Sequence, residues 1–179
     1  RSSAGSWRAS PPPFDLSRED LARSLPWLLG SGAGGLAWWR VRDSPWRDSG
    51  PAQELHQAYR LHSLQAALHE REISQALSLL QSAGVEPILG KGGAMARRYP
   101  EAGLRPYGDL DLYVRPEQHS RARQVIEAPD GRVVDLHRGF DGLDDRDPGE
   151  ILRRSQLLAR EGPAVRVFGV EDHRRLVFL

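Results

Sequence analysis

The chain has no cysteine, a single methionine and a single lysine among its 179 residues. The absence of cysteine excludes disulfide bonds, metal sites built on thiolates and a cysteine nucleophile. No run of about 18 apolar residues is present, and the first residues lack the apolar segment of a secretion signal. From the lack of a long apolar run and of an apolar signal segment we predict a cytoplasmic protein that has no membrane partner.

Neither sign of charge is in clear excess, since 25 Lys and Arg residues face 24 Asp and Glu residues and give a formal net charge of +1. A chain that binds nucleic acid through its phosphates usually carries an excess of basic residues. The balance therefore disfavours RNA as a partner. With 39% apolar and 27% charged residues, the composition is typical of a globular chain with one domain or two small lobes.

The order of sequence patterns predicts an α+β fold, with a helical N-terminal region plus a small mixed β-sheet and flanking helices. Residues 1–14 are rich in Ser and Pro and predict a flexible lead-in. Residues 15–84 carry apolar side chains at helical spacing, and Gly84 ends the pattern as a C-cap does. Residues 85–179 alternate short apolar runs with turns and predict the sheet domain. Because Leu179 falls inside a predicted helix, we expect the natural chain to continue beyond it.

In this second half the patterns place each element in turn. The predicted elements are strands at Val85–Leu89, Leu110–Val114, Gly131–His137 and Ala164–Phe168, a glycine turn at 90–93, and helices at Ala94–Tyr99, Pro116–Ile126, Asp147–Arg160 and the C-terminal end. In the first half, Asp15 or Ser17 is expected to cap a helix that runs to about Leu29.

The first chemical motif is the pair of acids in Asp109-Leu110-Asp111. In a strand, residues i and i+2 face the same side, about 7 Å apart. Two carboxylates this close repel each other unless a cation lies between them. Mg²⁺ prefers one or two carboxylates together with phosphate oxygens. The pair therefore predicts a metal site for phosphoryl or nucleotidyl transfer, although an Asp-x-Asp alone is also common at a solvated strand edge.

A third acid, Asp135, stands in the run Val133-Val134-Asp135-Leu136-His137. Its apolar neighbours predict a buried carboxylate, which is costly without a partner. If this strand pairs with the strand of Asp109, Asp135 completes a cluster of three carboxylates, with His137 on the same face. Asp135 is then expected to bind the catalytic metal and to act as general base toward an acceptor hydroxyl.

The second motif is the turn Gly90-Lys91-Gly92-Gly93, which lies between an apolar strand and a short helix. Successive amides at a helix N-terminus bind anions, and glycine lets a phosphate approach the backbone closely. Lys91 offers a point charge and Arg105 a planar fork for phosphate oxygens. The alternative is an ordinary turn with a surface lysine, and a surface arginine at position 105.

Taken together, three motifs resemble the polymerase-β-like nucleotidyltransferase superfamily, and more closely the bacterial "uncharacterised nucleotidyltransferase" family. They are the Lys-Gly-x-Ala turn at Lys91–Ala94, the Arg-Pro-x-Gly-Asp-hydrophobic-Asp stretch at Arg105–Asp111, and the Val-Asp-Leu-His strand at Val134–His137. The resemblance covers roughly residues 50–179. It implies that Gly92-Gly93 occupies the position of the superfamily's Gly-Ser or Gly-Gly signature, which binds phosphate.

The resemblance implies a Mg²⁺-dependent transfer of a nucleoside monophosphate from an NTP to an acceptor hydroxyl, with release of pyrophosphate. The predicted catalytic and metal-binding residues are Asp109, Asp111 and Asp135, and the predicted nucleotide-binding residues are Gly90, Lys91, Gly92, Gly93, Arg105, Asp109 and Asp111. Two Mg²⁺ ions are expected, with Mn²⁺ as the alternative ion. The acceptor is expected to be a protein, a peptide or a small molecule rather than RNA.

Two other functions stay open at this stage. One is a catalytically inactive nucleotidyltransferase fold that serves as a binding or regulatory module. The other is metal-dependent hydrolysis instead of transfer.

Overall fold

The computed structural model describes residues 15–126, 134–159 and 163–178. The predicted lead-in at 1–14 and the first three residues of the predicted strand Gly131–His137 lie outside the described residues. Among the helices described, none combines the length and the apolar character needed to cross a lipid bilayer.

The chain separates into two compact units. The first comprises Arg1–Leu68 with Arg98–Pro106, and the second comprises His69–Arg97 with Tyr107–Leu179. A compact unit is not by itself an independently folding domain, so the predicted domain boundary between residues 84 and 85 stays a prediction.

The first unit is helical. Its elements are α1 (Arg18–Gly30), α2 (Gly34–Val41) and the beginning of α3 (Gly50–Ser82). The predicted first helix is confirmed, and Ser17 is its cap because its hydroxyl accepts from the amide of Asp20. A core of small and large apolar side chains holds these helices together, comprising Leu21, Ala37, Trp38, Val41, Ala52 and Leu55.

The second unit is built on a sheet, and the predicted α+β class is confirmed. Its strands are β1 (Ile88–Leu89), β2 (Leu110–Val114), β3 (Val134–Arg138), β4 (Gln156–Leu158) and β5 (Val165–Val167). Within the described ranges they form one five-stranded sheet in the order β3-β2-β1-β5-β4. The sheet is mixed, since β2 pairs parallel with β3 and antiparallel with β1.

The helices of this unit are α4 (Lys91–Ala96), α5 (His119–Ile126), α6 (Pro148–Arg154) and α7 (Val170–Phe178), together with the end of α3. The predicted start of α4 at Ala94 is wrong, because the helix begins three residues earlier and includes the glycines. The predicted helix at Asp147–Arg160 is too long. It ends at Arg154 because Ser155 turns to an extended conformation and the next residues pair with β5, which overrides their helical propensity.

Strand β2 is buried along its whole length. Leu110, Leu112 and Val114 pack into one core with the last turns of α3. On the other face, Tyr113 packs into a second core with Phe168 and others. A one-residue slip would exchange these faces, so the register of β2 is strongly specified, and with it the side on which Asp111 emerges.

Candidate metal centre

Strands β2 and β3 bring the predicted acids together. They pair in parallel with Asp111 opposite Asp135 and Tyr113 opposite His137. The expectation that the strand of Asp135 lies beside the strand of the first acidic pair is therefore confirmed. Paired residues on neighbouring strands lie about 4.8 Å apart with their side chains on the same face, so all four side chains share one side of the sheet.

Three of these side chains converge at hydrogen-bonding distances. His137 Nε2 lies 3.0 Å from Asp111 Oδ1 and 3.2 Å from Asp135 Oδ2. One ligand atom from each residue lies within 4.8 Å of the other two. Two carboxylates and one imidazole in this arrangement are able to coordinate a single divalent cation.

The two acids differ sharply in exposure. Asp111 is only 7% exposed, whereas the side chain of Asp135 is 58% exposed. The expectation that Asp135 is buried is wrong. In the described sheet β3 is an end strand, and alternation along it turns the apolar Val134 and Leu136 to the opposite face. The carboxylate of Asp135 is therefore open to solvent and not costly to keep.

Lys91 is the fourth group at this site. Its Nζ lies 2.7 Å from Asp111 Oδ1 and 3.4 Å from His137 Nε2. The hydrogen bond with Asp111 raises the pKa of Lys91 above its usual value, so the ammonium is charged at neutral pH. The sequence assigned Lys91 to phosphate and did not predict this ion pair with a candidate metal ligand.

The backbone of Lys91 is strained. Its φ is +40°, the one positive value at a non-glycine residue within the part of the chain that the structure describes. Such a conformation costs on the order of 1–3 kcal/mol at a residue with a Cβ, and glycine, which stands on both sides, would adopt it freely. A lysine kept here at that cost points to a role for its side chain.

Tyr113 forms a platform beneath the imidazole. Its ring stacks on His137 with the centroids 4.2 Å apart and the planes 8° apart, and it meets Phe168 edge-on. Burial raises the pKa of the Tyr113 hydroxyl. Tyr113 was not among the site residues predicted from the sequence, although its i+2 spacing from Asp111 places it on the same face.

Two glycines of the turn, Gly90 and Gly92, pack too closely against tyrosines to carry a Cβ atom. A Cβ atom on Gly90 would lie 2.5 Å from the ring of Tyr113, and one on Gly92 would lie 2.8 Å from the Cβ of Tyr107. The amide of Gly90 donates to the carbonyl of Asp111 over 2.9 Å. The amides of Gly92 and Gly93, in the first turn of α4, have no helical carbonyl to donate to.

Asp109 and Arg105 complete the set of predicted site residues. Asp109 is exposed, one residue before β2, and does not belong to the group formed by Asp111, Asp135 and His137. Arg105 is half-buried and belongs to the first compact unit. Their roles, like those of Gly90, Gly92 and Gly93 toward a nucleotide, stay predictions.

The sheet unit is α+β and presents two facing carboxylates beside a glycine turn. A comparison with protein families gives the class of the protein. The family model described as "Uncharacterised nucleotidyltransferase" matches residues 19–177. The chain therefore belongs to the uncharacterised nucleotidyltransferase family, and the resemblance seen in its motifs is confirmed. No curated protein and no solved structure matched it.

Proposed function

We propose that this chain is a Mg²⁺-dependent nucleotidyltransferase that moves a nucleoside monophosphate from an NTP to an acceptor hydroxyl. The observation that carries the proposal is the in-register pairing of Asp111 with Asp135, with His137 between their carboxylates. Membership in a nucleotidyltransferase family supplies the reaction class.

The donor chemistry fits a divalent cation. Carboxylate oxygens suit Mg²⁺, and the added imidazole also suits Mn²⁺. In this structure the carboxylate of Asp111 already contacts one cation, the ammonium of Lys91. We assign metal binding to Asp111 and Asp135, with Asp109 as the predicted third acid and with two ions in the complete site. When bound, the metal neutralises phosphate charge and orients the triphosphate.

The triphosphate is assigned to the turn before and within the first turn of α4. Gly92 and Gly93 offer amides, and Lys91 offers a flexible positive charge. Gly90 keeps the turn closed against Tyr113, since its own amide is bonded to β2. Arg105 is the predicted second cation for phosphate oxygens.

Asp135 is the proposed general base, and its exposure supports this role because an acceptor arriving from solvent reaches it directly. The acceptor oxygen attacks the α-phosphorus and loses its proton to the Asp135 carboxylate. The bond between the α-phosphorus and the bridging oxygen breaks, and pyrophosphate leaves with that oxygen.

We propose a protein, a peptide or a small molecule as the acceptor, because a net charge of +1 offers little attraction to RNA. We also propose that the protein acts in the cytoplasm.

The test is a transfer assay with each of the four labelled NTPs and Mg²⁺, in which pyrophosphate release is measured. The variants are Asp111→Asn and Asp135→Asn. The matched control is Arg138→Gln, because Arg138 lies on β3 next to His137 and faces the other side of the strand. We expect Mg²⁺-dependent pyrophosphate release in the parent and the control, and loss of it in both Asp variants.

Other outcomes would assign the site differently. Release of inorganic phosphate instead of pyrophosphate would indicate hydrolysis. Mg²⁺-dependent NTP binding without release of either product, with a broad set of hydroxyl acceptors, would indicate an inactive binding or regulatory module. Absence of any Mg²⁺-dependent NTP binding in the parent would contradict the proposal itself.

A further inference from the structure

The contact between Lys91 and Asp111 affects how a metal ion and a nucleotide bind at this site. We propose that Lys91 acts as an internal cation that occupies Asp111 until a triphosphate draws it away, so that metal binding and nucleotide binding strengthen each other. This inference rests on the proposed function, since it takes an NTP as the ligand that competes for the lysine.

The first step is competition for one oxygen atom. Lys91 Nζ lies 2.7 Å from Asp111 Oδ1, and His137 Nε2 lies 3.0 Å from the same atom. A bound Mg²⁺ needs a carboxylate oxygen at about 2.0–2.1 Å. An ammonium and a divalent cation on one oxygen repel each other, and because Asp111 is only 7% exposed, water screens that repulsion little. The metal and the lysine therefore compete for Asp111 Oδ1.

The second step is that Lys91 is free to leave. Its side chain is 40% exposed, so a route into solvent or toward a ligand is open. An ammonium on a four-carbon stem forms no planar fork with the carboxylate and changes partner at little cost. Lys91 has a left-handed backbone and is the first residue of α4, and its side chain reaches Asp111 from there.

The third step is the coupling. Without nucleotide, the lysine neutralises Asp111 and lowers the affinity of the site for a cation. A triphosphate offers Lys91 a stronger anion next to the first-turn amides of α4, and its departure exposes Asp111 to the metal. Coupling of two ligands is reciprocal, so bound metal raises the affinity for NTP by the same factor.

The experiment measures Mn²⁺ binding by electron paramagnetic resonance, with Mn²⁺ alone and then with a non-hydrolysable NTP analogue. The variants are Lys91→Met, which removes the ammonium, and Lys91→Arg, which keeps a positive charge. The matched control is Arg138→Met, which removes a positive charge on the far face of β3. Thermal unfolding by circular dichroism confirms that each variant is folded.

With Mn²⁺ alone, we expect Lys91→Met to bind about fivefold more tightly than the parent, the equivalent of a strong partly exposed ion pair. The Arg138→Met control should change the affinity by less than about twofold, because exposed charges on the far face are screened. Adding the analogue should tighten Mn²⁺ binding in the parent and much less in Lys91→Met. Lys91→Arg should stay close to the parent with Mn²⁺ alone.

If Lys91→Met is folded but binds Mn²⁺ no more tightly than the parent, or if Arg138→Met gains as much, the proposal is overturned. Should Lys91→Met fold poorly, Lys91→Gly replaces it, because glycine adopts the φ of +40° without strain. The arm with Mn²⁺ alone does not depend on any nucleotide. A gain there without NTP binding would support the internal cation and contradict nucleotidyl transfer, so the two failures are distinguishable.

Discussion

The sheet unit contains two buried aspartates, Asp111 on β2 and Asp172 on α7. Their ion pairs differ in the kind of cationic group that each carboxylate contacts. Asp172 is fully buried and is paired with the guanidinium groups of Arg146 and Arg154. Asp111 is almost as buried, but it meets the ammonium of Lys91 and the imidazole of His137. Both aspartates sit in a low-dielectric setting that requires a partner.

The partners determine what each aspartate is able to do. Guanidinium groups are permanently charged. Those of Arg146 and Arg154 both reach Asp172 Oδ1, and Arg154 also pairs with Glu171. Lysine and histidine are exchangeable partners, and the second acid at their site is open to solvent. Burial of a carboxylate therefore does not by itself distinguish a functional site. We infer function at Asp111 from its exchangeable partner and from the solvent-exposed second acid beside it.

The largest effect is expected from Asp111→Asn. We predict a loss of more than about 100-fold in Mg²⁺-dependent NTP affinity, because losing even an outer partner of a metal ligand costs about 10–100-fold. Titration calorimetry of the NTPs with Mg²⁺ measures it. The folded Asp172→Asn variant is the control and should change the affinity by less than about threefold, since Asp172 pairs with two arginines of its own. Equal losses in both variants would remove the distinction between the two sites.

The reverse pattern is expected for stability. We predict that Asp172→Asn lowers the free energy of unfolding by about 2–3 kcal/mol, below the 3–5 kcal/mol typical of a broken buried pair, because Arg146 and Arg154 are partly exposed. Asp111→Asn should cost less than about 1 kcal/mol, since Lys91 is free to move into solvent. Urea denaturation measures both values. A larger loss at position 111 than at position 172 would contradict the comparison.

A smaller effect is expected from Gly90→Ala. The added Cβ would lie 2.5 Å from the Tyr113 ring, and overpacking of this kind costs about 1–3 kcal/mol. Gly108→Ala is the control, because a Cβ there meets nothing within 4 Å and should change stability by less than about 0.5 kcal/mol. Denaturant unfolding of the pair checks this prediction, and an equal cost for the two variants would show that the turn is not held closed by Tyr113.

The smallest effect concerns how the stability contributed by Asp145 depends on pH. The hydrogen bond from Arg175 lowers the pKa of Asp145. A lowered folded-state pKa means that this carboxyl stabilises the fold above its unfolded pKa of about 3.9, and that the contribution is lost as the pH falls through the folded value. The difference in urea midpoint between the parent and Asp145→Asn should therefore shrink from pH 7 to about pH 3. A difference that grows on acidification would contradict this assignment.

Local patterns were enough to predict the parts of the site that depend on one strand or one helix. Alternation along Leu110–Val114 predicted β2 and the side of Asp111, and Ser17 correctly marked the start of α1. The facing of Asp111 and Asp135 was also predictable, once their strands were assumed to be neighbours.

The remaining features depend on tertiary structure. The exposure of Asp135 follows from the place of β3 at the end of the described sheet, which its own sequence does not record. The ion pair of Lys91 follows from its left-handed backbone and the early start of α4. Strand β4 forms only because β5 pairs with it, and three residues carry too short a pattern to predict it.

The central claim is that Asp111 and Asp135 together bind the metal that holds a triphosphate. The most direct test is a crystal structure with Mn²⁺ and a non-hydrolysable NTP analogue, in which anomalous scattering locates the ion. We predict an ion about 2.1 Å from a carboxylate oxygen of each aspartate, phosphate oxygens at the amides of Gly92 and Gly93, and Lys91 Nζ moved from Asp111 to a phosphate. A nucleotide bound elsewhere, with Lys91 still paired to Asp111, would contradict the claim.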